Sequence, residues 1–142
     1  MSLSRRELLQ CLGGCLLLPT GALRAGEDDG PLFEQDHQRL LRQLIEAAML
    51  YDTYNRRCRG YRAPTYLDNV TRLSVERYGL TASQLIHQLW HSAPDDFRKR
   101  IDLRFLNDIR RLGGCKRAKR KGYRDSLSKV YWTLRRKLEA LP

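Results

Sequence analysis

Two histidines four positions apart, His87 and His91, have the spacing of a metal-binding or acid–base pair. On one uninterrupted helix their imidazoles would share a face, and Asp95 would extend it. Ser92 and Pro94 indicate a helix boundary, which breaks the alignment with Asp95. We therefore expect no metal site here and interpret both histidines as surface or packing groups. A small envelope enzyme with one of them as its base is kept as an alternative.

Other motifs that would indicate catalysis or a cofactor are missing from the sequence. It has no phosphate-binding loop, no glycine-rich dinucleotide motif, no haem-attachment motif and no EF-hand loop. Asp36-His37 has no identifiable nucleophile, because no serine follows the pattern of a nucleophile elbow. The sequence therefore predicts no cofactor and favours binding over catalysis.

Positive charge dominates the C-terminal part of this chain, whose net charge is +11. The densest run lies before the last predicted helix, in what we interpret as a loop. A focused positive potential attracts anions, whereas the simpler interpretation is a solvated basic face that promotes solubility. The candidate binding residues are Lys116, Arg117, Lys119, Arg120, Lys121, Arg124, Trp132, Arg135 and Arg136.

Trp132 is the aromatic residue that adds most to this hypothesis. On a helix it is rotated off the apolar stripe formed by Leu127, Tyr131 and Leu138, and its neighbours are cations. An exposed tryptophan framed by cations is suited to anchor a protein partner, a lipid surface or a base. The alternative is that the buried face is wide and Trp132 flanks the core.

The N-terminal segment predicts where the protein works. Arg5 and Arg6 precede an apolar stretch, 8–18, and a run of small residues led by Pro19. It resembles a twin-arginine export signal, whose pattern is Ser/Thr-Arg-Arg-x-Phe-Leu-Lys; Leu8 and Gln10 replace the Phe and the Lys. The stretch is too short for a membrane-spanning helix, which needs about 20 apolar residues.

Two further signal types fit the same residues. One is an ordinary secretory signal, and the other is a lipoprotein signal that would acylate Cys15. Soluble cleavage would follow Ala22 or Ala25. We divide the chain into a cleavable signal, 1–25, and a basic helical domain, 26–142, located in the periplasm or secreted. Removing the signal lowers the net charge from +11 to about +9.

Cleavage would leave only Cys58 and Cys115 in the mature chain. Two cysteines in an exported protein favour one disulfide, which would link two helix ends. The alternative is a reactive thiol at Cys115, whose pKa the neighbouring Arg111 and Lys116 would lower.

The elements that position these residues are helices. Apolar residues recur at helical spacing, Val75 and Val130 among them, and no alternating strand pattern occurs. The sequence predicts one all-α domain of four or five helices in a compact bundle. The helices run from Phe33 to about Arg57, from Thr65 to a cap at Gly79, from a capping box at Thr81 to Trp90, from a cap at Ser92 to Leu112, and from Tyr123 to Ala140.

Together these features favour an exported binding or accessory protein. Its basic C-terminal surface would engage an acidic protein or an anionic envelope component. A nucleic-acid binder is the other alternative, which the composition would support and the export signal argues against.

Overall fold

A computed structural model describes residues 34–142. The predictions for the signal, for acylation at Cys15 and for the start of the first helix at Phe33 fall outside these residues. Within them the chain forms six α-helices and no strand, which confirms the all-α class. Their bounds are α1 Gln35–Arg59, α2 Thr65–Tyr78, α3 Ala82–Trp90, α4 Pro94–Leu112, α5 Cys115–Arg120 and α6 Tyr123–Glu139. None of these helices has the length and apolar character needed to cross a membrane.

Local sequence signals set several helix ends as predicted. Thr81 and Gln84 form the predicted capping box of α3: Thr81 Oγ1 accepts the Gln84 N–H at 3.3 Å, and Gln84 Oε1 accepts the Thr81 N–H at 2.8 Å. Gly79 ends α2 in the left-handed conformation. The predicted cap at Ser92 is wrong, because Ala93 is the N-cap of α4 and Pro94 fills its first turn. The Ser92 hydroxyl is directed instead toward the Ala93 carbonyl oxygen, at 3.4 Å.

The sixth helix, α5, occupies the run that we expected to be a loop. Two glycines precede it, and Gly113 and Gly114 take φ values of 86° and 100°, which permit the sharp turn out of α4. Ala118 is completely buried and is the anchor of this six-residue helix. Because α5 contains so little apolar sequence, it has no periodic stripe that would have predicted it.

The central element of the fold is α1. Every residue from Ala47 to Asn55 is buried, and α6, α2, α4 and α3 all pack on this helix. A helical segment buried on all sides, as this one is, lies inside a domain rather than on its surface. The 25-residue α1 is therefore the axis around which the other helices are arranged.

Asp52, in this buried part of α1, caps the start of α2. Its carboxylate accepts the Tyr66 N–H at 3.0 Å and the Leu67 N–H at 2.8 Å. The residue at the N-cap position of α2 is Pro64, which provides no side-chain acceptor. A carboxylate satisfies these N–H groups and complements the positive end of the helix dipole.

Two arginines cap the C-terminal ends of other helices. Arg42 of α1 donates to the Leu89 carbonyl oxygen at the end of α3. Arg77 of α2 donates to the carbonyl oxygens of Leu138 and Leu141 at the end of α6. Cations complement the negative end of the helix dipole, so these contacts both fasten neighbouring helices and satisfy their terminal carbonyls.

Two valines that belong to the apolar pattern of their helices are exposed. Val75 on α2 is 46% exposed, and Val130 on α6 is 49% exposed. Both helices bury narrower stripes than their apolar content suggests, because each packs mainly on one side against α1. Val130 lines a groove between α1, α4 and α6.

Candidate functional site

The two histidines do not share a continuous helix. His87 is exposed on α3, whereas His91 follows the end of that helix as its C-cap, with φ 50°. Within residues 34–142, no group of three or more His, Cys, Asp or Glu side chains is arranged to hold a metal ion. The structure therefore gives the His87/His91 pair no geometry of a metal centre.

Cys58 and Cys115 form a disulfide, with their Cα atoms 5.5 Å apart. This separation is typical of native disulfides, which lie at about 4.4–6.8 Å. Cys58 is in the last turn of α1, and Cys115 is the first residue of α5. The bond therefore fastens α5 to the end of the central helix.

The densest cations of the chain lie on this tethered helix. We name the exposed side chains of α5 and the residue that follows it the α5 cluster: Lys116, Arg117, Lys119, Arg120 and Lys121. None of them forms an ion pair with an acidic side chain of the described part of the chain. The α5 cluster is thus an uncompensated positive surface.

The cations of α4 differ in this respect. Ion pairs join Arg98 to Asp95 at 3.9 Å, Lys99 to Asp96 at 3.6 Å and Arg104 to Glu46 at 3.4 Å, and a fourth joins Arg111 to Asp108. Exposed pairs of this kind stabilise little, but they offset the local charge. The positive potential of α4 is therefore partly neutralised within the protein.

Arg124, at the start of α6, is less exposed than the residues of the α5 cluster. It is half-buried beside Tyr51 of α1, and the hydrogen bond to that phenol raises the pKa of Arg124. Burial alone would raise the pKa of Tyr51, but hydrogen bonds with Tyr66, Ser128 and Arg124 outweigh it and lower the pKa. The Tyr51 and Tyr66 rings are stacked, with their centroids 3.9 Å apart. Arg124 of α6 thus contacts the stacked pair formed by Tyr51 of α1 and Tyr66 of α2.

Trp132 lies off the buried stripe of α6, as predicted, and is 43% exposed. The Arg135 guanidinium carbon is 5.4 Å from the centroid of the Trp132 ring, a cation–π contact. Arg135 also donates to Glu139 Oε1 at 2.8 Å, a hydrogen bond that raises the pKa of Arg135. Arg136, the next residue, is exposed and forms no ion pair within residues 34–142. Of the predicted binding residues on α6, Trp132 and Arg136 are therefore the exposed ones.

A groove between α1, α4 and α6 was not expected from the sequence. It has a volume of about 540 Å³, and its apolar lining includes Ala47 and Leu50 of α1 and Leu127, Val130 and Leu134 of α6. Its polar lining includes Glu46, Arg104 and Asp108. We name it the α1/α4/α6 groove. A mostly apolar depression with a few polar groups is typical of a binding site.

Tyr123, near the start of α6, lines the α1/α4/α6 groove and is the lining residue that follows α5 most closely in sequence. Its hydroxyl donates to Asp108 Oδ2 at 3.2 Å, which joins α6 to α4. Burial and the nearby Asp108 carboxylate raise the pKa of Tyr123 to about 12, so this phenol stays protonated and donating at neutral pH. Because only Gly122 separates Tyr123 from Lys121, the groove adjoins the α5 cluster.

The structure thus brings a positive surface and an apolar groove together, whereas Arg124 lies beside Tyr51 and the two histidines do not share a helix. Comparison of the chain with models of protein families, with curated proteins and with solved structures finds no match.

Proposed function

We propose that the protein is an exported helical accessory protein that binds an acidic protein or an anionic envelope component through the α5 cluster and the exposed face of α6 at Trp132 and Arg136. One observation carries this proposal. The cations of the α5 cluster have no acidic partner in the described residues, although most exposed cations of α4 do.

Holding these cations together is costly for the isolated protein. Lys116 and Arg120, and Arg117 and Lys121, are four positions apart, where like charges on a helix repel by a few tenths of a kcal/mol. The disulfide at Cys115 keeps α5 in place despite this repulsion. An anionic partner would relieve the repulsion and would find the cations already positioned, which lowers the entropy lost on binding.

Export is part of the same proposal. The disulfide fits an oxidising compartment such as the periplasm or the extracellular space. The N-terminal resemblance to a twin-arginine signal supports this location independently. Acidic proteins, lipid headgroups and lipopolysaccharide phosphates are the anions such a protein would encounter there.

The test compares capture from an envelope fraction by the mature protein and by two charge-matched variants. Lys119→Gln/Arg120→Gln/Lys121→Gln changes the α5 cluster, and Arg98→Gln/Lys99→Gln/Arg100→Gln removes the same charge from α4. We expect the first variant to lose about tenfold or more of the binding at low salt, and the control to lose much less. Quantitative mass spectrometry of the eluate and the salt dependence of elution are the measurements.

Equal capture by the two variants would reduce the α5 cluster to a solvated surface. Circular dichroism of both variants should match the parent, since every substituted side chain is exposed. Iodide quenching gives a second readout: in a Trp90→Phe background, a bound partner should protect the remaining Trp132. If the parent protein retards DNA in gel electrophoresis at moderate salt, this would favour the nucleic-acid alternative instead.

A further inference from the structure

The α1/α4/α6 groove has the length of a short helical segment. It runs along α6 from Tyr123 to Leu134, a rise of roughly 16 Å at about 1.5 Å per residue. That length matches about three turns of a bound helix, enough for side chains spaced three to four residues apart to enter at successive points.

The lining of the groove is suited to aliphatic side chains. Leu50 and Leu127 are buried on its floor, at 6% and 9% exposure, whereas Val130 on its edge is 49% exposed. Both α4 and α6 pack on α1, and α5 links them at one end, so the space between them over α1 stays open. An apolar segment in this space would bury Val130 and the outer part of Leu134.

Charge selects among the possible occupants. The edge of the groove is balanced, because Arg104 is paired with Glu46 and Arg111 with Asp108. Next to Tyr123 in sequence lies the α5 cluster, whose cations form no ion pair within the described residues. A segment lying along the groove would therefore meet apolar surface first and strong positive charge at its α5 end.

We infer that the α1/α4/α6 groove binds an amphipathic helix of the acidic protein partner, with its aliphatic residues on Leu50, Leu127 and Val130 and its acidic residues on the α5 cluster. This inference rests on the proposed function and narrows its partner to a protein. A concave site admits individual side chains, and a flat lipid surface has no side chains that could enter it. A second copy of this basic chain would bring cations toward cations, which opposes self-association.

The experiment uses the mature protein and a fluorescent synthetic peptide as the probe. The peptide is helical, with leucines at positions one, four and eight and glutamates clustered at one end; its two controls replace the leucines by serine or the glutamates by glutamine. Val130→Glu places a charge on the groove edge, and Val75→Glu is its matched control, since Val75 is 46% exposed on α2 and outside the groove. Fluorescence anisotropy measures the affinity.

We expect Val130→Glu to weaken peptide binding by about tenfold or more and Val75→Glu by less than about twofold. The serine peptide should lose binding, and the glutamine peptide should lose its salt dependence. Methyl resonances of Leu50, Leu127 and Val130 should shift when the parent protein binds the peptide. Lack of binding by the leucine–glutamate peptide, or equal effects of the two valine variants, would overturn the inference.

Three further outcomes separate this inference from the proposed function. Weakening by Lys119→Gln/Arg120→Gln/Lys121→Gln but not by Val130→Glu would overturn the groove and retain the proposed function. The reverse result would retain the groove as a binding site, and it would overturn both the proposed function of the α5 cluster and the part of the inference that places the acidic residues there. The third outcome is that the parent binds anionic lipid vesicles or forms a dimer in ultracentrifugation, and that Val130→Glu abolishes this behaviour. The groove would then have another occupant, and the inference would be overturned.

Discussion

The carboxylate of Asp52, in the middle of α1, accepts the backbone N–H of Leu67 at 2.8 Å across 15 positions of sequence. The contact is not local, and it supplies the cap that α2 does not carry in its own sequence. It fixes where α2 begins relative to the central helix. The neighbouring Tyr66 stacks on Tyr51 and packs edge-to-face on Tyr131 of α6. Asp52 therefore helps to place Tyr66 against Tyr51 of α1 and Tyr131 of α6.

Asp52→Ala is expected to lower the free energy of unfolding by about 1–3 kcal/mol, because the N–H groups of Tyr66 and Leu67 lose their acceptor. The measurement is urea unfolding at about pH 5. Asp68→Ala is the control, since Asp68 lies exposed in the first turn of the same helix. Equal losses in the two variants would show that the contact of Asp52 with α2 adds nothing beyond a helix-dipole effect.

The stability of the protein should depend on the ionisation of Asp52. Burial raises the pKa of this carboxyl from 3.8 to about 6, although the N–H groups of Tyr66 and Leu67 lower it; Asp68 raises it further, and Arg56 opposes. The folded state therefore holds this proton more tightly than the unfolded chain. The stability that protonated Asp52 contributes is fully present below about pH 4 and is lost as pH rises through about 6. The loss amounts to at most about 3 kcal/mol.

Urea unfolding between about pH 4 and pH 7 measures this contribution, with Asp52→Asn as the reference. The unfolding free energy of the parent should fall with rising pH relative to that of the variant. A carboxyl ¹³C titration reports the same pKa directly. Parallel stability profiles for parent and variant, or a parent profile that rises relative to the variant, would contradict the prediction.

Loss of the disulfide should destabilise the fold. Replacing Cys58 and Cys115 by alanine is expected to lower the unfolding free energy by about 4 kcal/mol, because the bond closes a loop over a sequence separation of 57. Thermal unfolding of the variant, and of the parent with and without a thiol reductant, measures the effect. An unchanged midpoint on reduction would mean that packing alone holds α5 against α1.

The export route can be tested through the two arginines of the signal. Arg5→Lys/Arg6→Lys should stop the appearance of mature protein outside the cytoplasm, because a twin-arginine signal requires the pair. Immunoblotting of cell fractions and mass measurement of the exported chain are the readouts. The mass should correspond to cleavage after Ala22 or Ala25. Undiminished export of the variant would identify an ordinary secretory signal, and a lipid-modified Cys15 would identify a lipoprotein.

Helical periodicity and local caps made much of the fold predictable. The long stripes of α1 and α4 specify buried faces, and Thr81 and Gln84 lie close enough in sequence to reveal their own capping box. The helix α5 escaped prediction because Ala118 is its anchor and no stripe exists. Its position depends on contacts with other helices and on Cys115, which single-sequence patterns do not report.

The candidate site was less predictable from the sequence, because it depends on contacts between residues that are far apart in the chain. The charge of Lys119 and Arg120 is legible in the sequence, but whether an acid lies nearby is settled only by packing. Arg124 has the same sequence context as those cations and nevertheless turns toward Tyr51. Val130 follows the same apolar pattern as core residues, and only the packing of the helices leaves it exposed. Sequence therefore predicted the charge of the surface but not the groove.

The packing of α1 against α6 joins the first described helix to the last. During synthesis the N-terminal elements emerge first, so the buried face of α1 must wait for Tyr131 and Leu138, which pack into the same core. The domain can acquire its native core only once α6 has emerged from the ribosome. A route that carries folded cargo must therefore recruit this domain after α6 has emerged, whereas a route that threads extended chains can take it while the helices are still emerging.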